Sequence, residues 1–403
     1  MQGTRGSLHN KLFLFSFLQG VANGIWGFLS IFILDIGGTG LEVGILATVP
    51  GLASTFMQMA WGRVSDRHDH NWRMISTGFL FTAILSVPVL FSNRPWHVIV
   101  ATGVQALFSS IAGVAVVVRL AEILRPTRRA RFMGVYNPMG FAGNIAGSFY
   151  SGIAIPAIGY RFTFLTYTLI NLIIASLVSY GLRETDEMKL GLLPLMRESV
   201  LELKNGLREM PVVIERGGAY IRWCLGISVR GFGIAMFGPV LTVFIVQVLD
   251  ASKPQIGALN ALAFALRLLL SPILGLYVDR KGPKTFMLVG VLLAAMHPIA
   301  LALVGDVSYL VPVFILDGLY WALINSSWFA WQMNLIPVER GVYAGFLNFV
   351  NGLSWAFGPL LGGYISDVTG LWVAASISAA LVMIGFSILL KVPNQLEEQI
   401  AQI

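Results

Sequence analysis

Three ionisable residues lie deep inside long apolar runs of the chain: Arg230, Arg267 and Asp317. In a low-dielectric surrounding such a group is costly unless it faces a cavity or a partner. Arginine offers a planar, permanently charged fork that fits carboxylate or phosphate. Two such forks against one acid leave a positive surplus, which suits a substrate with an anionic or strongly polar group. The same residues also allow a second reading, an internal ion pair of Asp317 with Arg267 or Arg230 that only holds helices together. Both readings stand at this level.

Polar and aromatic side chains extend the set. Asp317, Trp321, Asn325 and Trp328 recur at intervals of four, four and three, which places them on one face of a helix. A lipid-facing stripe would not carry Asp and Asn, so this face is expected to line a cavity. Asn23, Trp26, Asn137 and Asn144 are the matching candidates in the first part of the chain, and Tyr150, Asn348, Asn351 and Trp355 lie in spans of the same kind. Trp96 and Trp372, near span ends, read as interfacial anchors. His297-Pro298 reads as a kink with a satisfied histidine. There is no metal-ligand pair, no nucleophile elbow and no Gly-x-x-x-x-Gly-Lys-Ser/Thr loop. Enzyme chemistry, a metal and a cofactor are therefore not expected, and transport energy would come from a gradient or from the substrate. A coupling proton would have to use Asp317, Glu122, Asp35 or His297. The single cysteine, Cys224, excludes internal disulfides.

The elements that position these residues follow from composition. Hydrophobic residues make up 56% of the 403 and charged residues 12%, against about 25% charged in a soluble domain. So few charges cannot cover a water-exposed surface of this size, whereas lipid accepts apolar side chains. A spanning helix needs roughly 20 apolar residues, and twelve candidates are found: 12–34, 43–61, 74–91, 97–123, 132–155, 162–182, 219–248, 255–278, 285–304, 309–334, 343–365 and 372–390. The first is too long for the apolar core of a signal peptide and reads as a span. The connection 183–218 is long and polar, and 192–210 within it has apolar residues at helical spacing, as in a helix lying on a membrane surface.

Of the 27 Lys and Arg, 21 fall in loops on one side and three, Arg94, Arg161 and Lys253, on the other, with Arg119, Arg230 and Arg267 inside spans. That bias places both termini in the cytoplasm and agrees with an even span number. The net charge of +7 comes in short blocks between apolar runs. A nucleic-acid partner would need a clustered basic stripe, so none is expected.

The chain repeats itself. Gly62-x-x-x-Asp66-Arg67, between the second and third spans, recurs as Gly275-x-x-x-Asp279-Arg280 between the eighth and ninth, 213 residues later. Pro126 and Arg129 match Pro337 and Arg340 at 211, and Gly134, Gly143, Gly147, Gly152 match Gly345, Ser354, Gly358, Gly363 at 211. Several matches at nearly one offset indicate duplication, and parallel six-span repeats are a known transporter architecture.

These residues resemble the major facilitator superfamily, whose cytoplasmic loop signature is Gly-x-x-x-Asp-Arg-x-Gly-Arg/Lys-Lys/Arg. The second copy is nearly complete, through Gly282 and Lys284; the first departs after Arg67. The ending Gly-Pro-x-x-Gly-Gly of family antiporters is whole at Gly358–Gly363 but has Ser148 and Ser151 in the first copy, and Thr102-Gly-Val-Gln105-Ala106 lacks the fourth-helix arginine of drug–proton antiporters. The resemblance implies an all-α membrane fold of twelve transmembrane helices in two pseudo-symmetric six-helix bundles, here 1–182 and 219–403 joined by the linker 183–218. It implies a gating latch that stabilises the outward-open state, carried by Gly62, Asp66, Arg67, Arg119, Glu122, Gly275, Asp279, Arg280 and Lys284, with Arg67 bridging to Glu122. The loop glycine is expected to admit a close helix approach. The expected function is secondary active transport of a small organic solute by alternating access, by a monomer in the cell membrane. Multidrug efflux, with or without proton coupling, is the alternative, and a non-transporting membrane sensor a further one.

Overall fold

The computed structural model describes residues 2–67, 71–123, 126–181, 218–335 and 340–394. The expected surface helix 192–210 lies outside them. Among the described residues, twelve α-helices follow in chain order: α1 Gln2–Trp26, α2 Leu29–Asp35, α3 Gly40–Arg67, α4 Asn71–Leu90, α5 Pro95–Ile123, α6 Pro126–Ser176, α7 Gly218–Val243, α8 Lys253–Lys281, α9 Pro283–Ala302, α10 Leu310–Leu335, α11 Arg340–Thr369 and α12 Leu371–Leu390. Short π-helical turns, Leu177–Gly181 and Phe244–Val248, extend α6 and α7. No strand occurs among the described residues.

Each expected span has its helix, with differences at the breaks. The first span is interrupted at Gly27 and Phe28 between α1 and α2. The fifth and sixth run together as α6, which turns sharply at Gly159 (φ 82°, ψ 168°). A side chain would strain that backbone, so glycine turns the chain there without a loop. Ten stretches are long and apolar enough to cross a membrane. The longest, Val135–Tyr180, holds two helices joined at Gly159, and the 30-residue α11 brings the spans to twelve.

The repeat recurs in the backbone. Left-handed φ values occur at Gly159 and Gly370, 211 residues apart, and at Gly37 and Asp250, 213 apart. These are the offsets of the sequence motifs, and each pair turns the chain between corresponding helices.

The chain forms two compact units. The first holds α1, α2, α3 from residue 49, α4, α5, α6 and the opening turns of α8 up to residue 261. Its tightest crossing joins α1 to α6. A Cβ on Gly24 would lie 2.6 Å from the Asn144 carbonyl oxygen, and one on Gly143 would meet the Phe17 carbonyl. The opening of α8 packs as closely, where a Cβ on Gly257 would lie 2.7 Å from the Ser148 carbonyl oxygen. Buried hydroxyls find partners inside the bundle, as in Ser86 with Thr168 at 2.7 Å and Ser16 donating to the Tyr136 carbonyl at 2.7 Å. With no water in the hydrocarbon, such pairing is required.

The second unit holds the opening of α3 up to residue 48, α7, α8 from residue 262, and α9 to α12. Here α7 is central. Gly358 and Gly362 of α11 meet the carbonyls of Phe232 and Met236, and Gly226 and Gly233 of α7 lie against Leu389 and the Ser378 carbonyl of α12. The apolar core gathers Trp223, Ile227, Met287, Val291, Ile324 and Trp331. The opening of α3 is held by Asp367, which accepts from the backbone N–H of Gly40 at 3.1 Å and of Leu41 at 2.7 Å.

Gly362→Leu should therefore prevent α11 from seating on α7, because the Met236 carbonyl occupies the space its side chain needs. Overpacking costs about 1–3 kcal/mol where side chains can shift, and more is expected against backbone. A melting temperature lowered by several degrees, or loss of folded protein in detergent, is the expected result. Gly275→Ala, at a position with open space around it, should leave the melting temperature within about a degree. Equal melting temperatures for wild type and Gly362→Leu would overturn this account of the crossing.

Candidate substrate site

Arg230 sits at the middle of α7 and is 1% exposed. Its backbone fits against α12 because residue 385 is glycine; a Cβ there would lie 2.7 Å from Arg230 Cβ. Its guanidinium carbon lies 5.5 Å from the ring centroid of Trp328 on α10. Nε and Nη1 have no hydrogen-bond partner. A cation over an indole face gains roughly 0.5–2 kcal/mol, far below what burying an unpaired charge costs. Among the described residues, Arg230 Nε and Nη1 are therefore buried donors without a hydrogen-bond partner.

Arg267 is different. Its Nη2 donates to Asp317 Oδ2 in a close ion pair, with the side chains 15% and 16% exposed. Its guanidinium carbon lies 4.7 Å from the Phe264 ring and 5.5 Å from Trp321. Of the two pairings the sequence allowed, α8 with α10 is the one formed. The positive surplus thus concentrates on Arg230, and the Nε of Arg267 is buried without a partner.

The expected face of α10 is assembled. Trp328 faces Arg230 and Trp321 faces Arg267, while Asn325 between them is exposed. The aromatic wall continues through Trp355 on α11, 5.8 Å from Trp321, and Trp223 on α7, 5.6 Å from Trp328. Trp223 lies seven residues before Arg230, two turns along the same helix face, and that spacing could have identified it. Asn351 of α11 also presents a buried, unpartnered Oδ1. His297 was expected to be satisfied. It is 3% exposed, packs on Phe237 and Tyr320, and its Nε2 has no partner.

The first-unit candidates take separate roles. Asn23 and Asn137 are exposed. Asn144 donates to the Gly140 carbonyl at 2.9 Å, one turn back on its own helix. Trp26 stacks on Tyr167 at 4.1 Å, and Gln105 donates to the Tyr167 hydroxyl at 3.4 Å and the Thr82 carbonyl at 3.0 Å. Gln105 and Tyr167 were not among the expected site residues.

Of the expected gating residues, Gly62, Asp66, Arg67 and Glu122 lie outside the residues whose side chains are described. Arg119 places its guanidinium carbon 5.2 Å from the Trp72 ring. Asp279 and Arg280 are exposed at the end of α8. Among the described residues, no neighbouring side chain or facing helix comes within 4 Å of where a Cβ on Gly275 would stand. Lys284 donates to the Leu390 carbonyl at 3.0 Å and the Val392 carbonyl at 2.6 Å. It caps the carboxyl end of α12, where a cation satisfies free carbonyls.

A sequence model of the Major Facilitator Superfamily matches residues 12–221 and 223–401. A staphyloferrin B transporter of Staphylococcus aureus (strain NCTC 8325 / PS 47) is 20% identical over 81% of this chain and 77% of its own. The quinolone resistance protein NorB of Staphylococcus aureus (strain COL) is 22% identical over 95% of this chain and 94% of its own. Among solved structures, the nucleoside transporter NupG aligns with a TM-score of 0.73 at 15% identity, covering 96% of this chain and 99% of that one. A bacterial homologue of the human lysosomal transporter Spinster, inward-facing and occupied, aligns at 0.70 and 13%, covering 96% of each. At those identities the likeness is one of fold.

Asp317→Asn should strand the Arg267 charge. Removing one partner of a buried pair costs about 3–5 kcal/mol, somewhat less for a pair that is partly exposed. Asp317→Asn/Arg267→Gln, which removes both charges, should recover most of the melting temperature lost by the single variant. Additive losses in that double-variant cycle would show that the pair is not coupled.

Proposed function

The chain belongs to the major facilitator superfamily, and from that membership we propose that it moves a small organic solute bearing an anionic or strongly polar group, with Arg230 meeting that group. It is a multi-pass membrane transporter and not an enzyme. Arg230 carries the finer reading: a guanidinium 1% exposed, with Nε and Nη1 unpartnered. A carboxylate or phosphate oxygen would complete one of these donors in a charge-assisted pairing that a neutral solute cannot supply. Trp328 and Trp321 supply the apolar wall, and the Arg267–Asp317 pair adds polar groups without net charge. In this reading the halves 1–182 and 219–403, joined by the linker 183–218, alternate access around the site in a monomer of the cell membrane, with both termini cytoplasmic.

A second reading is efflux of lipophilic compounds, favoured by the indole wall of Trp223, Trp321, Trp328 and Trp355. Relatives named for quinolone resistance (NorB) and for multidrug resistance (MdtG of Dickeya zeae strain Ech586, 27% identical over 41% of this chain) stand with it.

A thermal-shift panel of organic anions, neutral metabolites and drug-like cations at two pH values separates the two. Stabilisation by an anion, followed by its counterflow in proteoliposomes, is expected. A hydrogen bond to a charged group contributes about 1.5–3 kcal/mol, so Arg230→Gln should weaken that anion at least tenfold, with Arg230→Lys retaining part of the affinity. Stabilisation by lipophilic cations alone, or unchanged anion transport by a folded Arg230→Gln protein, would refute the assignment.

A further inference from the structure

A groove of about 470 Å³ runs along the outside of the second unit between α7 and α12. Its walls are apolar: Leu225 from α7, and Met383, Ile384 and Ile388 from α12. Leu225 and Ile384 are each 52% exposed, as suits side chains that meet lipid. One end is charged. Arg222 and Lys391 both line it there, and Arg222 Nη1 reaches the Lys391 carbonyl at 3.4 Å. The spacing is regular on both helices. Arg222 and Leu225 lie three residues apart, and Ile384, Ile388 and Lys391 four and three apart, so each helix presents an apolar stripe ending in a cation.

Three features leave those cations open to an outside anion. Neither Arg222 nor Lys391 forms an ion pair among the described residues. The Leu390 and Val392 carbonyls, which would otherwise draw the lysine back, already accept from Lys284. The amino end of α7 begins at Gly218, one turn before Arg222, and adds its positive dipole end. Both residues also lie on the side that carries 21 of the loop cations; by the positive-inside rule that is the cytoplasmic leaflet, where anionic lipids reside.

We propose that this groove is a binding site for one anionic phospholipid, its phosphate held by Arg222 and Lys391 and an acyl chain laid along Leu225, Ile384 and Ile388. The ligand is chosen by charge complementarity. The groove takes an acyl chain from any lipid, and two unpaired cations at its polar end select the headgroup. This site is separate from the one around Arg230 and does not depend on the identity of the transported solute.

The test is native mass spectrometry of the full-length protein released from detergent and titrated with phosphatidylglycerol or phosphatidylcholine. Each basic residue near an anionic lipid surface is worth about a fivefold change in affinity. Wild type is expected to retain one phosphatidylglycerol in preference to phosphatidylcholine. Arg222→Gln/Lys391→Gln should weaken that retention about twentyfold, while Arg94→Gln/Arg161→Gln, which removes two exposed cations elsewhere, should not change it. Ile384→Trp, which fills the groove with both charges intact, should also reduce retention. Melting temperatures in detergent confirm that all variants are folded. Equal retention of the two lipids by wild type, or undiminished phosphatidylglycerol retention by the Arg222→Gln/Lys391→Gln protein, would overturn the proposal.

Discussion

Helix backbones in this protein come close enough to touch, and the rest of the architecture depends on those approaches. Lipid tails are as apolar as the helices they surround, so burial from water does not drive helices together within a bilayer. Dense packing must do it, and packing is densest where a side chain is missing. Gly147 of α6 meets the carbonyl of Val21 on α1, and Gly358 of α11 meets the carbonyl of Phe232 on α7. Both members of the second contact lie 211 residues beyond those of the first. The duplication has preserved the contact itself, down to the carbonyl that occupies the place of a Cβ.

A second pair of approaches shows where the copies diverged. Gly152 meets the opening of α8 around Lys253 and Gly257, and Gly363 meets the opening of α3 at Gly40. The steric part is shared, but the polar tie is not. Lys253 pairs with Asp35 at 2.8 Å, and Asp35 also accepts from the Tyr160 hydroxyl at 2.8 Å. In the other unit Asp367 accepts directly from the backbone N–H groups of Gly40 and Leu41. A backbone approach admits only the smallest residues, so it resists change. The side chains that fasten it can be exchanged for any pair of opposite polarity.

The polar groups of the candidate site follow the same economy. Arg267 and Asp317 neutralise each other between α8 and α10, and Phe264 and Trp321 screen them. Arg230 has an indole face and no acid. Two arginines at similar depth therefore differ: one ties α8 to α10, and the other has no ion-pair partner among the described residues. The unpartnered His297 Nε2 and Asn351 Oδ1 lie in the same unit. Buried polar groups are usually satisfied, and in this unit Trp223, Ser228, Arg230, Arg267, Ser271, His297 and Asn351 each keep a buried side-chain atom without a partner.

Sequence alone determined the membrane class, the twelve spans, the repeat and the identity of the ionisable residues within the spans. These are properties of composition and spacing: a charge-poor chain cannot cover itself in water, and a span has a length set by the hydrocarbon. The ionisable residues of the candidate site were legible for a related reason, since Arg230, Arg267 and Asp317 are conspicuous in apolar runs. Tertiary structure alone decided which arginine Asp317 takes, that Lys284 caps α12, and that Trp26 stacks on Tyr167. Each depends on the facing helix, and a facing helix is chosen by three-dimensional packing between residues up to hundreds of positions apart. Periodicity reports which face of a helix a residue occupies, but not what stands opposite that face.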